Sequence, residues 1–107
     1  MKTIKWVGTS RDDVRQFPHA ARHATGVQLL QVQLGYDPDD WKPMPSVGTG
    51  VKEIRIRAEG AFRVIYVAKF PEAIYVLHAF QKKTQKTSKQ DIELMRQRLK
   101  DIARLKR

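Results

Sequence analysis

The fold is decided by residues 51–86, VKEIRIRAEGAFRVIYVAKFPEAIYVLHAFQKKTQK. They hold three β-prone runs separated by two turn signals. Ala58, Glu59 and Gly60 suit a three-residue hairpin loop with Gly60 at the left-handed bulge position. Pro71 and Glu72 suit the second turn, which pairs Lys69 with Ile74. Counting outward from these turns sets Arg55 across from Arg63, Arg63 across from Phe80, and Ile65 across from His78. Side chains alternate between faces along a strand. One face is therefore expected to carry Ile54, Ile56, Phe62, Val64, Tyr66, Leu77 and Ala79 beneath covering helices. The other would carry Glu53, Arg55, Arg57, Arg63, Ile65, Val76, His78 and Phe80. A sheet face that mixes basic and aromatic side chains is suited to a polyanion, and RNA is the expected one.

Before this stretch the signals are helical. Residues 3–7 form a short β-prone run. Ser10 followed by Asp13 resembles an N-cap with an acid in the first turn, opening a short helix that stops before Pro18. From His19 to Leu34 the spacing predicts a second helix. Its stripe is Ala20, Ala24, Val27, Gln31 and Leu34, flanked by Leu30. Gly26 weakens its middle and Gly35 ends it as a C′ residue. Residues 36–50 hold three prolines and read as a loop, with Trp41 pinning it to the body. After the strands, Thr87 and Ser88 are N-cap candidates, with Gln90 and Asp91 at capping-box spacing. The last helix follows, with Ile92, Met95, Leu99 and Ile102 as its buried stripe. Arg96, Arg98, Lys100, Arg104, Lys106 and Arg107 lie outside or beside that stripe.

At 107 residues, 41% of them hydrophobic, the chain is expected to form one domain over residues 1–107. No apolar run approaches a membrane span and the N-terminus has no signal-peptide pattern, so a cytoplasmic protein with no membrane role is expected. The absence of cysteine excludes disulfides and Cys-ligated zinc. Formal net charge is +10, and residues 82–107 carry ten Lys/Arg against three Asp/Glu. An excess gathered in one segment favours an anionic partner over a uniformly solvated surface.

Arg63 is the leading candidate, because an arginine in the middle of a central strand is costly unless it is paired or faces a wet cleft. A wet cleft and an ion pair with Glu53 are equally compatible with the pattern. Lys82, Lys83 and Lys86 follow the last strand; such a run is commonly a solvated turn, but here it adjoins Arg63 and Phe80. His78 sits in the apolar run YVLHAF, where histidine is more often structural than a general acid or base. Phe80 is an edge-of-core aromatic or a base-stacking platform. His19 and His23 have metal-ligand spacing but no evident third ligand, so no metal and no cofactor is expected.

The ordered set Gly50 to Arg57, Phe62 to Tyr66 and Val76 to Thr84 resembles the core signature of the RelE/ParE toxin superfamily. It is most similar to the HigB-like branch of phage-derived toxins. Residues 39–43, DDWKP, and the C-terminal helix also fit that branch. The resemblance implies an α+β fold of two N-terminal helices packed on a small antiparallel β-sheet, with a C-terminal helix. It implies the toxin of a type II toxin–antitoxin pair: a metal-independent endoribonuclease that cuts mRNA on the ribosome, with the RNA 2′-hydroxyl as nucleophile. Implied partners are the ribosome, its mRNA and a helix-turn-helix antitoxin that meets the basic face with acidic residues. Arg63, Lys82, Lys83 and His78 fall to catalysis, and Arg55, Arg57, Phe80 and Lys86 to RNA binding. The basic C-terminal helix would grip ribosomal RNA. Glu53 stands where some relatives have a lysine-rich strand, and no tyrosine follows Tyr75. The base is thus His78, a lysine, or none, with catalysis resting on positioning and charge. Two rival readings stand beside this one: a gyrase-inhibiting ParE-like toxin, and a non-catalytic nucleic-acid-binding module.

Overall fold

The computed structural model describes residues 1–105. In chain order the elements are β1 (Thr3–Trp6), α1 (Ser10–Arg15), α2 (His19–Gln33), β2 (Trp41–Pro43), β3 (Val51–Arg57), β4 (Ala61–Val67), β5 (Ala73–Gln81) and α3 (Lys89–Leu105). The strands form one sheet in the order β1-β5-β4-β3-β2. β3, β4 and β5 are antiparallel neighbours, but β1 runs parallel to β5, so the sheet is mixed and the expectation of a purely antiparallel one is corrected. The segment 36–50 is not all loop: β2 pairs with β3, setting Lys42 opposite Glu53.

The first hairpin has the expected register, with Arg55 opposite Arg63 and Arg57 opposite Ala61. Its loop puts both Glu59 (φ 58°) and Gly60 (φ 133°) at positive φ, so Glu59 joins the glycine in a conformation expected for Gly60 alone. In the second hairpin Arg63 faces Phe80 and Ile65 faces His78, as counted. The register then slips: Tyr66 pairs with Val76 and Val67 with Tyr75, leaving Leu77 unopposed. The predicted pairing of Lys69 with Ile74 is thereby lost. The bulge also exchanges the faces assigned to two residues. Val76 joins the core under α1 and α2, and Leu77 joins the core under α3.

Both faces of the sheet are therefore covered, each by a different layer. Ile54, Ile56, Phe62, Val64, Tyr66, Ile74, Val76 and Ala79 pack with Val14 and Phe17 near α1 and with Ala21, Leu29 and Val32 of α2. Ile65, Val67, Leu77 and Val51 pack with Met95 and Ile102 of α3, joined by Ile92 and Leu99. The stripe expected on α3 is the one that is buried. The stripe expected on α2 is not: Val27, Leu30 and Leu34 are 43%, 46% and 57% exposed. The buried positions are Ala21, Thr25, Leu29 and Val32, and Thr25 enters the core because its hydroxyl donates to the Ala21 carbonyl (2.8 Å).

Local chemistry explains the element ends. Thr9, not Ser10, is the N-cap of α1; Ser10 is buried and its hydroxyl donates to the Val76 carbonyl (3.0 Å). α2 closes in a Schellman motif, with Gly35 N–H on Val32 (3.0 Å) and Tyr36 N–H on Gln31 (2.9 Å), and Gly35 at φ 93°. Ser88 caps α3 by accepting from the Asp91 N–H (3.0 Å). The acidic loop is tied down residue by residue: Asp37 pairs with Lys52, Asp39 accepts from Gln28 and Gln31, and Asp40 lies 3.8 Å from Arg55.

Candidate functional site

α3 covers only part of its sheet face. The remainder carries Glu53, Arg55 and Arg57 from β3 and Arg63 from β4, all on one face by strand alternation. At its centre is Glu53, with no solvent exposure. One carboxylate oxygen, Oε1, has three cations around it: Arg63 Nε at 3.5 Å, Arg55 Nε at 3.7 Å and Lys42 Nζ at 3.8 Å. These are ion pairs without hydrogen bonds, and both Glu53 oxygens and Arg63 Nε lack a hydrogen-bond partner among the described residues. Arg63 is 8% exposed, and its Nη1 donates to the Phe62 carbonyl (3.0 Å). The two readings left open for Arg63 therefore coexist: it pairs with Glu53, and it lines an open depression.

That depression, about 490 Å³, is lined by Ala61, Arg63, Lys82, Lys83, Thr84 and Gln85. Lys82 is fixed by its N–H donating to the Ala61 carbonyl (2.8 Å), which sets its side chain beside Arg63. Burial, then the neighbouring Arg63, draw the Lys82 ammonium below its ordinary pKa, and Glu53 opposes the shift. Burial likewise lowers Arg63, opposed by Glu53 and reinforced by Arg55 and Arg57. Cations from β2, β3, β4 and the segment after β5 thus share one electrostatic neighbourhood. Arg57 is exposed at the end of β3. Lys86 is exposed outside the depression's lining, in the turn where Thr84 donates to its carbonyl (2.8 Å).

His78 and Phe80 lie on the same face but in a second hollow of about 520 Å³, shared with Asp13, Gln16, Phe17, Phe62 and Asp91. Their rings are 5.1 Å apart. His78 is 8% exposed, with Nε2 2.8 Å from Asp91 Oδ1 at the start of α3. The carboxylate accepts, so Nε2 carries the proton, and Nδ1 is buried without a hydrogen-bond partner among the described residues. Burial raises the Asp91 pKa, but hydrogen bonds from Ser88 and His78 outweigh it and hold the carboxyl below its ordinary value.

The basic α3 is less free than its composition implies. Arg98 donates to the Leu77 carbonyl (2.7 Å) and the Thr9 hydroxyl (3.2 Å), and Arg96 to the Ser46 carbonyl (2.6 Å). Lys106 and Arg107 lie outside the described residues. The sequence reading missed Lys42, because it sits on a three-residue strand hidden in a proline-rich segment, and Asp91 as the partner of His78. The capping-box spacing that singled out Asp91 was the available signal for the latter.

Fold and site define a small α+β protein that gathers cations around a buried carboxylate at an open depression. Residues 12–100 match the family described as Phage derived protein Gp49-like (DUF891), and the chain belongs to it. This is a RelE/HigB-type toxin family associated with toxin–antitoxin systems, and membership implies a cognate antitoxin as partner. No curated protein matches the sequence. Among the described residues no helix is long and apolar enough to cross a membrane.

Proposed function

We propose that the protein is a ribosome-dependent mRNA endonuclease of a type II toxin–antitoxin system, acting in the cytoplasm and without a metal. The observation that carries this reading is the depression where Arg63 and Lys82 meet, backed by Arg55. It offers fixed positive charge to one phosphodiester. The RNA 2′-oxygen attacks the adjacent phosphorus and gives up its proton to water, the 5′-oxygen leaves, and a 2′,3′-cyclic phosphate forms. Arg63 stabilises the charge that builds on the non-bridging oxygens. Lys82, with its lowered pKa, delivers the proton the departing 5′-oxygen needs. Lys83 and Arg55 hold the phosphate, Arg57 and Lys86 follow the backbone on either side, and Phe80 offers a face for a base. His78 is less well placed for proton transfer, because Asp91 holds one ring nitrogen and the other is buried.

The test is a reconstituted translation reaction with purified protein. Wild type is expected to cut the mRNA on the ribosome, and folded Arg63→Ala/Lys83→Ala protein to leave it intact. A folded double variant as active as wild type overturns the site assignment. Intact mRNA with inhibited gyrase overturns the function and favours the ParE-like reading.

A further inference from the structure

Glu53 is buried in the least favourable way for a carboxylate. It has no exposure, neither oxygen accepts a hydrogen bond among the described residues, and its compensation is the charge of Arg63, Arg55 and Lys42 at 3.5–3.8 Å. Stability alone does not call for this, since an apolar side chain of similar volume commonly does as well in place of a buried ion pair. What the carboxylate does supply is orientation. Cations from β2, β3 and β4 converge on the single oxygen Oε1. With Nε turned to Glu53 and Nη1 on the Phe62 carbonyl, Arg63 is left with its other amino group for a ligand in the depression.

We propose that Glu53 is a positioning residue: a fixed internal anion that holds Arg63 and Arg55 in place for the scissile phosphate, and that lowers their affinity for RNA in its ground state. The identification of that phosphate rests on the mRNA-cleavage reading; the positioning of the guanidiniums does not. Complete burial keeps Glu53 from touching substrate, which separates this role from that of a general base. Partial neutralisation of the cations weakens binding of any phosphate, while their fixed geometry favours the more highly charged transition state.

The discriminating variants are Glu53→Gln, which keeps the shape and removes the charge, and Glu53→Asp, which keeps the charge and withdraws it by one methylene. Circular dichroism checks folding. Single-turnover cleavage of ribosome-bound mRNA gives the rate, and binding of a single-stranded RNA with 2′-deoxy substitution at the cut site gives the affinity. For Glu53→Gln we expect cleavage slowed about 10- to 100-fold through misplaced guanidiniums. RNA binding should instead tighten about two- to tenfold, because local positive charge rises. Glu53→Asp should cleave at a rate between those of Glu53→Gln and wild type, with affinity unchanged. A merely structural role moves rate and affinity down together; that result, or no change in either, overturns the inference. Should Glu53→Gln not fold, Glu53→Asp decides by the same split.

If wild type cuts no mRNA, the proposed function fails, and the Arg63 Nε–H signal in a proton–nitrogen NMR spectrum judges Glu53 on its own. Slow exchange with water in wild type, accelerated about tenfold or more in Glu53→Gln, supports positioning, because a guanidinium released from its partner is solvated. Equal exchange in the two proteins overturns it.

Discussion

His78 Nε2 and Asp91 Oδ1 are 2.8 Å apart, and this contact joins the middle of β5 to the first turn of α3. Asp91 also accepts from the Ser88 hydroxyl and donates its own N–H back to it, so one residue serves the helix cap and the sheet–helix junction together. The pair sits in the hollow beside Phe80, one strand away from the Arg63 depression.

This junction gives a pH prediction. The folded-state pKa of Asp91 is lowered from 3.8, so its stabilisation is present above that value and is lost as pH falls through the lower folded value. Melting temperature measured from neutral pH down to about pH 3 should fall more steeply for wild type than for Asp91→Asn. Parallel curves would show that the contact does not couple to folding.

The two helix layers make opposite predictions for similar side chains. Met95 is fully buried and Leu30 is 46% exposed. Met95→Ala should cost about 2–5 kcal/mol in urea unfolding, as a core truncation does. Leu30→Ala should stay within about 0.5 kcal/mol of wild type, as a surface substitution does. A large cost at Leu30 would contradict the observed orientation of α2.

Gly8 adopts φ 56°, and a Cβ added there would lie 2.7 Å from the Arg98 guanidinium that braces Leu77 and Thr9. Gly8→Ala should destabilise by roughly 1–2 kcal/mol from backbone strain alone, and by more from displacing Arg98. In an Arg98→Ala background the second part should vanish. A double-mutant cycle by thermal melting measures it, and a coupling energy of zero would show that Arg98 moves aside freely.

Under the RNA-binding proposal, affinity for single-stranded RNA should fall linearly on a log–log plot against salt. Arg55→Ala and Lys83→Ala should each flatten that slope by about 0.7, the value for one phosphate contact on a single strand. Arg96→Ala should change it less, because Arg96 is engaged with the Ser46 carbonyl. Equal flattening at all three would place the RNA along α3 as well.

Much of this architecture is legible where the chain's signals are local. Turn chemistry around Glu59 and Gly60 suffices to set Arg55 opposite Arg63, and Ser88 announces α3, whereas the count from Pro71 reaches Arg63 opposite Phe80 only because the bulge at Leu77 offsets a one-residue error at that turn. The failures are non-local or ambiguous in period. β1 pairs with β5 at the far end of the chain, and nothing in the sequence TIKW reveals a parallel partner. α2 has apolar residues all round, so its buried side is decided by which face Thr25 and Ala21 present to the sheet. The cation cluster is visible in sequence as Arg55 and Arg63, but its convergence on Glu53 depends on Lys42, whose strand exists only as a partner to β3.

The unopposed Leu77 makes β5 respond unequally to losing and to gaining a residue. It is the one position where two successive side chains, Leu77 and His78, turn toward α3. Deleting it would join Val76 directly to His78 in plain alternation, leaving Val76 under α1 and α2 and His78 facing Asp91. The losses would be local: one apolar side chain beneath α3 and the carbonyl that receives Arg98. An insertion elsewhere in the strand has no such slack to draw on, and must either build a second bulge or rotate His78 and Phe80 off their face. The strand therefore carries one spare residue of length. Its basic and aromatic face survives shortening at that point, while lengthening puts the whole face at risk.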